Sequence, residues 1–203
     1  MLQVRIHGRG GQGVVTAAEL LSIAVFLDGK YALAFPSFGS ERTGAPVAAF
    51  CRIADRPIRT REPVIHPDVV IVQDSTLLYH VDVFGGLHPE GYLIINSSRT
   101  APELGIEERC ASLPDGHWCI FPATEIALKH LHRPVPNSAL LAGFAALTQS
   151  VSLSSILRAI QERFPGALGT QNMEVAKEAF GVVRERLGRT DSTAAGEPLA
   201  APA

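Results

Sequence analysis

Residues 2–16, LQVRIHGRGGQGVVT, decide the fold, because an alternating apolar run ends there in four closely spaced glycines. Leu2, Val4 and Ile6 alternate with polar residues, as in a β-strand, and Val14 begins the apolar spacing of a helix. The glycines are therefore predicted to lie in a turn that joins a strand to a helix.

This turn matches a pattern that holds phosphate groups, because Gly8, Gly10 and Gly13 stand at the spacing G-x-G-x-x-G. The N–H groups of such glycines and the positive end of the following helix dipole both face an anion. The acidic residue expected about 20 positions later, to bind a ribose, has no clean candidate. Asp28 falls at the end of the helix, before a second strand that we predict at residues 30–35. A second interpretation, in which the glycines only permit tight packing of strand and helix, stays open.

The composition is that of a globular chain of 203 residues, with 46% hydrophobic and 19% charged residues. A net charge of −2 provides no overall attraction to nucleic acid or to an anionic membrane, so any site for a polyanion must be local. No apolar run approaches the roughly 20 residues of a membrane span, and the chain begins as a strand rather than as a signal peptide. We expect a cytoplasmic protein with no nucleic-acid or membrane partner.

The three cysteines show no C-x-x-C spacing, so the sequence contains no visible iron–sulfur or zinc site. Cys51 and Cys119 lie in apolar runs and are expected to be small buried residues. The histidines are scattered, and His130 and His132 would point to different faces of a helix. No metal ligand and no catalytic residue is predicted.

The remaining apolar patterns predict further strands at residues 47–53, 68–73, 91–96 and 117–121. Helices are predicted at residues 74–84, 123–130, 137–149, 153–164 and 173–187, and residues 100–116 are expected to be irregular and exposed. The continuous apolar character of two strands is typical of a parallel sheet buried on both faces. The prediction is a Rossmann-like α/β fold, with an open, mostly parallel sheet, helices on both faces and a helical C-terminal part.

We predict one domain over residues 1–188. After Gly188 the composition turns to alanine, proline, threonine, serine and glutamate, which favours a flexible tail over residues 189–203.

A second informative stretch is residues 35–53, FPSFGSERTGAPVAAFCRI. Its prolines and glycines predict a loop before the third strand, and the loop contains more hydrogen-bonding side chains than a simple connection needs. Arginines are in excess over acids between Arg42 and Arg61, which suits a phosphorylated ligand or an acidic partner. A solvated turn with ordinary surface arginines is the alternative.

Polar residues also follow two of the predicted buried strands. The carboxyl ends of parallel strands meet at one edge of a sheet, where ligands bind in open α/β folds. Gln73, Asp74 and Asn96 to Ser98 are therefore expected near the same crevice as the glycine turn, unless they only cap helices.

Three segments together resemble the gamma subunit of 2-oxoacid:ferredoxin oxidoreductases, the pyruvate synthase group. They are GRGGQGVVTAAELL at residues 8–21, FPSFGSERTGAPVAAFCRI at 35–53 and PNSALLAGFAAL at 136–147, and the likeness extends from about residue 3 to residue 187. The middle segment is more similar to the pyruvate, oxoisovalerate and aryl-glyoxylate enzymes, such as phenylglyoxylate dehydrogenase, than to the indolepyruvate enzymes.

The resemblance implies a place in a larger assembly that converts a 2-oxoacid and CoA to acyl-CoA and CO2. Electrons then leave to ferredoxin or, in some assemblies, through a flavoprotein subunit to NAD. The resemblance also implies that alpha and beta subunits and a ferredoxin-like delta subunit carry thiamine diphosphate, Mg and the iron–sulfur clusters. The isolated chain would then be inactive, and the 2-oxoacid would be selected in the thiamine-bearing subunits.

By the same resemblance, this chain is expected to help bind CoA and to hold the assembly together. The loop at residues 37–44 is hypothesised to line the opposite wall of the CoA site or to contact the decarboxylating subunits. The hypothesised site residues are Gly8, Arg9, Gly10, Gly11, Gln12, Gly13, Thr16, Ser37, Phe38, Gly39, Glu41, Arg42, Thr43 and Asn96. Two other interpretations stay open: a purely structural subunit without a ligand, and a stand-alone NAD- or FAD-binding oxidoreductase.

Overall fold

A computed structural model describes residues 1–37 and 43–194, with side chains described up to residue 188. Its strands are β1 (Leu2–Arg9), β2 (Tyr31–Pro36), β3 (Pro46–Ala54), β4 (Val69–Val72), β5 (Tyr92–Asn96) and β6 (Trp118–Phe121). Its α-helices are α1 (Val14–Leu27), α2 (Ala101–Leu104), α3 (Glu107–Ala111), α4 (Ala123–Leu131), α5 (Asn137–Thr148), α6 (Leu153–Arg163) and α7 (Ala167–Ala194), and a 3₁₀ helix spans Ser75–Tyr79.

The six strands form one mixed sheet in the order β2-β3-β1-β4-β5-β6. β1, β4, β5 and β6 run parallel to one another, as expected for strands connected by helical crossovers. β3 is antiparallel to both β1 and β2, so β2 and β3 form an antiparallel hairpin at one edge of the sheet. The predicted Rossmann-like α/β fold with a mostly parallel sheet is confirmed.

Helices cover both faces of this sheet, because successive strand residues point to opposite sides. On one side Ile71 and Ile94 join a large core that also contains the buried faces of α1 and α4 to α7. On the other side Val70, Leu93 and Ile95 form a second core with α2, α3 and the 3₁₀ helix. The predicted two-sided packing is therefore confirmed.

Helix α5 lies inside the larger core, and all but the last of its residues are buried. A Cβ at Gly143 would lie 2.9 Å from the ring of Phe121 on β6, so the helix approaches the sheet closely there. The apolar residues of α5 therefore belong to a core helix.

Three predicted segments differ from the structure. Residues 100–116 were expected to be irregular, and this prediction is wrong, because a capping box between Thr100 and Glu103 starts α2 and α3 follows. Leu104, Cys110 and Leu113 are buried against the sheet, so the apolar residues of this stretch mark a packed surface. The helix predicted over residues 74–84 is only a 3₁₀ helix that ends at Tyr79, and α7 begins earlier than predicted.

At its C-terminal end, α7 extends past the domain boundary predicted at residue 188 and ends at Ala194. Residues 195–203 of the predicted tail lie outside the described residues, so the boundary and the flexibility of the tail stay predictions. In the part of the chain that is described, no helix combines the length and the apolar content needed to cross a membrane. The cytoplasmic location likewise stays a prediction.

Asp28 ties the end of α1 to the beginning of α6. Its carboxylate accepts hydrogen bonds from the Ser152 N–H at 2.6 Å, the Ser152 hydroxyl at 2.8 Å and the Ser155 hydroxyl at 2.6 Å. Burial acts to raise the pKa of Asp28, but these hydrogen bonds and the nearby charge of Lys30 lower it below its usual value. The acid nearest to the expected ribose-binding position is therefore a structural link between two helices.

We expect Asp28→Ala to lower the free energy of unfolding by about 2 kcal/mol, because hydrogen bonds to a charged carboxylate are lost. A pKa that is lowered on folding stabilises the protein above the unfolded pKa of about 4, and this stabilisation is lost as the pH falls through the folded pKa. The difference between wild type and variant, measured by urea unfolding of the purified chain, should therefore shrink in acid. Asp55→Ala, at an exposed position, is the control and should change little; an equal loss in both variants would contradict the assignment.

Candidate functional site

The carboxyl ends of β1, β4 and β5 meet at one edge of the sheet, and two crevices open there. After β1 the chain passes through α1 to the hairpin on one side of β1, whereas β4 lies on the other side. Loops diverge at such a reversal of strand order and leave space for a ligand. Gly11 lines both crevices and so separates them.

We call the larger space, of about 750 Å³, the helix-start crevice. One wall is the start of α1, from Gly13 to Thr16, and the opposite wall is formed by Pro36, Ser37 and residues 46–48. Its volume is in the range of pockets that hold small molecules and cofactors. Ser37 is the residue of the loop after β2 that lines this wall; residues 38–42 lie outside the described residues, so the role predicted for the loop stays a prediction.

The start of α1 is open to this crevice. Gly13, the residue before the helix, has a left-handed backbone with φ of 74°, and no side chain among the described residues caps the helix. The first helical N–H to find a backbone partner in the described chain is that of Ala17, which donates to the Gly13 carbonyl at 2.9 Å. The preceding N–H groups, on residues 14–16, are the orphan donors of a helix start and carry its partial positive charge.

The glycines of the turn have different roles. A Cβ at Gly8 would lie 2.6 Å from Cγ2 of Val14, and one at Gly13 would lie 2.6 Å from Nδ2 of Asn137. The Gly10 N–H donates to the Ala45 carbonyl at 2.9 Å and is not available to a ligand. Close packing therefore requires Gly8 and Gly13, as the alternative interpretation of the turn proposed.

Asn137 is a buried residue at the glycine turn whose position was not predicted from the sequence. Its side-chain amide donates to the Gly13 carbonyl at 3.0 Å and accepts a hydrogen bond from Nε2 of Gln73 at 3.0 Å. Both side chains are buried, so the start of α1 is anchored to the start of α5 and to the end of β4. The available signal was a polar residue at the beginning of an otherwise apolar helix.

Arg9 and Gln12 form a network with Asp74. Oδ2 of Asp74 accepts hydrogen bonds from Nε of Arg9 and from Nε2 of Gln12, each at 3.0 Å, and the Arg9 N–H donates to Oε1 of Gln12 at 2.8 Å. Burial acts to raise the pKa of Asp74, but hydrogen bonds from Thr76 and Gln12 and the charge of Arg9 lower it below its usual value. Two residues predicted to contact a ligand thus hold the shape of the turn.

The second space, of about 470 Å³, is the strand-end crevice, lined by Gln12, Gln73, Asp74 and Asn96 among others. Nδ2 of Asn96 donates to the Gln73 carbonyl at 2.8 Å, and its Oδ1 accepts the Thr124 N–H at 3.0 Å. The prediction that Gln73, Asp74 and Asn96 would lie beside the glycine turn is confirmed.

The same prediction is wrong for Ser97 and Ser98. These two residues line a separate cavity of about 410 Å³, together with Arg99 and residues of β6. The chain turns away from the strand-end crevice directly after Asn96. Only the first one or two residues after a buried strand can therefore be expected to line the crevice at its end.

The predicted arginine patch is not a single surface. Arg52 is buried, donates to the Thr60 carbonyl at 2.9 Å and lies over the ring of Phe35 at 5.3 Å. Arg56, Arg59 and Arg61 are exposed on the segment that follows β3, whereas Arg42 lies outside the described residues. The prediction that Arg52 belongs to a surface patch of arginines is therefore wrong.

The hypothesised CoA-binding residues fall into four groups. Those that line the helix-start crevice are Arg9, Gly10, Gly11, Gly13, Thr16 and Ser37. Those that line the strand-end crevice are Gly11, Gln12 and Asn96. Gly8 is packed beneath Val14, and Thr43 is exposed and paired with Gly10. Phe38, Gly39, Glu41 and Arg42 lie outside the described residues, and a ligand role for any of these groups stays a prediction.

The cysteines are buried, as the sequence analysis expected for Cys51 and Cys119. Burial raises the pKa of the Cys51 thiol to about 12 and that of Cys119 to about 11, so both thiols are protonated at neutral pH. His130 contacts Glu178 at 2.6 Å. Within residues 1–37 and 43–194, no group of three or more histidine, cysteine, aspartate or glutamate side chains could hold a metal ion.

Residues 3–182 match the family model described as pyruvate ferredoxin/flavodoxin oxidoreductase. The "Pyruvate/ketoisovalerate oxidoreductases common subunit gamma" of Thermococcus kodakarensis is 48% identical over 180 residues, which cover 89% of this chain and 96% of the relative. The "Pyruvate synthase subunit PorC" of Methanothermobacter marburgensis is 46% identical over the same shares of both chains.

Solved structures agree with these relatives. The pyruvate oxidoreductase subunit PORC from Thermotoga maritima superposes with a TM-score of 0.74 at 34% identity, covering 89% of this chain and 95% of that chain. A 2-oxoglutarate:ferredoxin oxidoreductase from Magnetococcus marinus, with 2-oxoglutarate, coenzyme A and succinyl-CoA bound, superposes with a TM-score of 0.72. At 15% identity, with 91% of this chain but only 31% of that chain covered, the second likeness shows a shared fold.

The packing role of Gly13 is tested by a matched pair of substitutions. Gly13 and Gly29 have nearly the same backbone, with φ of 74° and 79°, but no described atom lies within 4 Å of a Cβ at Gly29. Gly29→Ala should lower the free energy of unfolding by about 1 kcal/mol from backbone strain alone. Gly13→Ala should lower it by about 3 kcal/mol, because the added methyl group also displaces Asn137. Equal losses in urea unfolding would show that close packing at Gly13 contributes nothing.

Proposed function

Since the chain belongs to the pyruvate ferredoxin/flavodoxin oxidoreductase family and is a gamma subunit of a 2-oxoacid oxidoreductase complex, we propose that it holds the phosphate groups of CoA at the start of α1. In such a complex a 2-oxoacid and CoA become acyl-CoA and CO2, and electrons leave to ferredoxin or NAD. This chain contributes binding and orientation of CoA, and it helps to hold the assembly together.

The observation that carries the proposal is the uncapped start of α1, which faces a crevice of about 750 Å³. Three backbone N–H groups without partners in the described chain and the positive helix end favour an anion of phosphate type. CoA is the phosphorylated substrate of the reaction, and the related 2-oxoglutarate enzyme contains bound coenzyme A. Because that enzyme is only 15% identical, it supports the proposal through the fold and not through its contacts.

The loop residues contribute indirectly. Arg9 and Gln12 are fixed by Asp74, and Gly10 is fixed by Ala45. A turn held from within keeps the first N–H groups of α1 in one position before the ligand arrives, which lowers the entropic cost of binding. Positioning of these donors, rather than direct charge pairing by Arg9, is the role that the geometry supports.

The two alternative interpretations receive less support. A stand-alone NAD or FAD oxidoreductase would need an acid for the ribose, whereas Asp28 links α1 to α6. A purely structural subunit would not need an open helix start, since an unsatisfied helix end is normally capped.

The redox chemistry belongs to other subunits in this proposal. The cysteines of this chain are buried and protonated, which does not fit ligands of an iron–sulfur cluster. We propose that alpha and beta subunits supply thiamine diphosphate and Mg, that a ferredoxin-like delta subunit carries the clusters and that the complex works in the cytoplasm.

Thr16→Asp provides a test that separates binding from folding. Thr16 is half-buried in the first turn of α1, where a carboxylate favours the helix but repels a phosphate group. Titration calorimetry of CoA into the purified complex should show an affinity about 10-fold weaker or worse, because two like charges would share a partly buried site. The thermal stability of the variant should be unchanged or slightly higher.

Thr16→Asn is the matched control, since it has nearly the size of aspartate but no charge. It should leave the affinity for CoA within about threefold of wild type, because a single neutral contact contributes little. If both variants bind CoA as tightly as wild type does, the phosphates do not lie at the start of α1.

A further inference from the structure

Strand β2 forms an open edge of the sheet. It is the terminal strand next to β3, so no described strand lies along its outer side. Proteins usually protect such edges with charged residues, bulges or very short strands, because an open row of N–H and carbonyl groups recruits another strand. The sequence of β2, YALAFP, has six residues without a charge, and it pairs with β3 without a bulge.

The opposite edge of the sheet, at β6, is protected. This strand has only four residues, and the guanidinium group of Arg186 on α7 donates a hydrogen bond to the Ile120 carbonyl. The carbonyls of His117 and Phe121 face β5, so that of Ile120 faces outward. The edge that is open to a partner strand is therefore β2.

The backbone groups of β2 that face outward belong to its even-numbered residues. The Ser37 N–H donates to the Ala48 carbonyl at 2.8 Å, and hydrogen-bonded residues alternate along antiparallel strands, so the odd-numbered residues of β2 bond to β3. Ala32 and Ala34 therefore each direct an N–H and a carbonyl away from the sheet.

These outward groups are complementary to those of a second copy of the same strand. In an antiparallel pairing about a two-fold axis at Leu33, Ala32 of each copy lies opposite Ala34 of the other. Both residues have a donor and an acceptor in the right direction, so each pair can exchange two N–H···O=C bonds.

The pairing also ends without leaving a donor unpaired. The next hydrogen-bonding position would place Lys30 opposite Pro36 of the other copy, and proline has no N–H to donate. The Lys30 N–H already bonds to the Val25 carbonyl at 3.2 Å, and its side-chain Nζ donates to the Ser150 carbonyl at 3.0 Å. The charge next to the strand is thus held within its own chain.

The side chains of β2 suit the same partner. Leu33 is half-buried against the small core of Phe35, Phe50 and Val64, and it would meet its own copy at the axis. Side chains approach most closely at such a position, which is not hydrogen-bonded and has a Cα separation of about 4.5 Å. Tyr31, which is 46% exposed, would lie opposite Phe35 of the other copy. The pairing brings no like charges of β2 together.

We propose that two copies of this chain associate through β2, in antiparallel register about a two-fold axis at Leu33, so that their sheets join into one. In the complex, this contact holds two gamma subunits together. A strand from a different subunit would also fit an open edge, but it would not require β2 to be complementary to itself.

Disulfide formation in the purified complex tests the register. Leu33→Cys places two thiols opposite each other, within the Cα separation of about 4.4–6.8 Å that disulfides span, and mild oxidation should give a covalent dimer of this chain on a non-reducing gel. Tyr31→Cys is the matched control on the same strand and face, because its two copies would lie about 13 Å apart. The native cysteines are buried and should give little background.

A covalent dimer from Leu33→Cys alone supports the proposal. Failure of both variants to form one, or equal dimer formation by both, would overturn it. A disulfide to a different subunit would assign the edge to that subunit and would overturn the proposal as well.

Ala34→Pro tests the backbone contact. Proline removes an outward N–H and leaves the bonds to β3 intact, as edge strands tolerate. Because the axis repeats this loss in both copies, the dissociation constant of the dimer, measured by sedimentation equilibrium of the purified chain, should rise about 10- to 100-fold. Ala34→Ser keeps the N–H and should change it less than about threefold.

Urea unfolding of both variants at position 34 shows whether each is folded. A wild-type chain that is monomeric at every concentration, or equal dissociation constants for two folded variants, would show that β2 does not pair with itself. If Ala34→Pro does not fold, the two cysteine variants decide the question alone.

Discussion

The buried side chain of Asn137 holds the start of α1 in place. Its amide donates to the Gly13 carbonyl and accepts a hydrogen bond from Gln73, so that three separate elements meet at one buried point. A polar side chain at such a depth must keep its hydrogen bonds, because leaving them unmade costs more than any single apolar contact nearby provides. The positions of α1, α5 and the end of β4 therefore depend on one another.

The buried position of Asn137 explains why the glycine turn resembles a phosphate-binding loop and is also needed for close packing. Gly8 and Gly13 are needed because Val14 and Asn137 occupy the space of a side chain. The result of this packing is a helix start with open N–H groups facing a large crevice. The two interpretations of the turn are thus not exclusive, since close packing of the glycines creates the geometry that favours an anion.

The proposed division of labour within the complex rests on the same arrangement. The described part of this chain has buried, protonated thiols, and none of its groups of side chains could hold a metal. In the proposed function, a preformed site for the phosphates would hold CoA for chemistry on a neighbouring subunit. Arg9, Asp74 and Gln12 support that site from within, and a change in any of them would act through the shape of the turn.

The spacing of apolar residues and the composition of the chain were sufficient to predict most of the fold. The alternation in β1, the apolar runs of β4 and β5 and the helical spacing of α1 and α6 are local patterns, because each element has to bury one face or both. The family likewise follows from the sequence, through three segments in a specific order.

Local patterns failed at residues 100–116, where short capped helices lie on the sheet, and at Arg52, whose burial depends on Phe35 and Thr60. Only the tertiary structure decided which polar residues make internal contacts, and Arg9, Gln12 and Asn96 are among them. The physical reason is that these hydrogen bonds depend on partners far away in the chain, 23 residues from Gln73 to Asn96 and 65 residues from Arg9 to Asp74, and no local spacing encodes them.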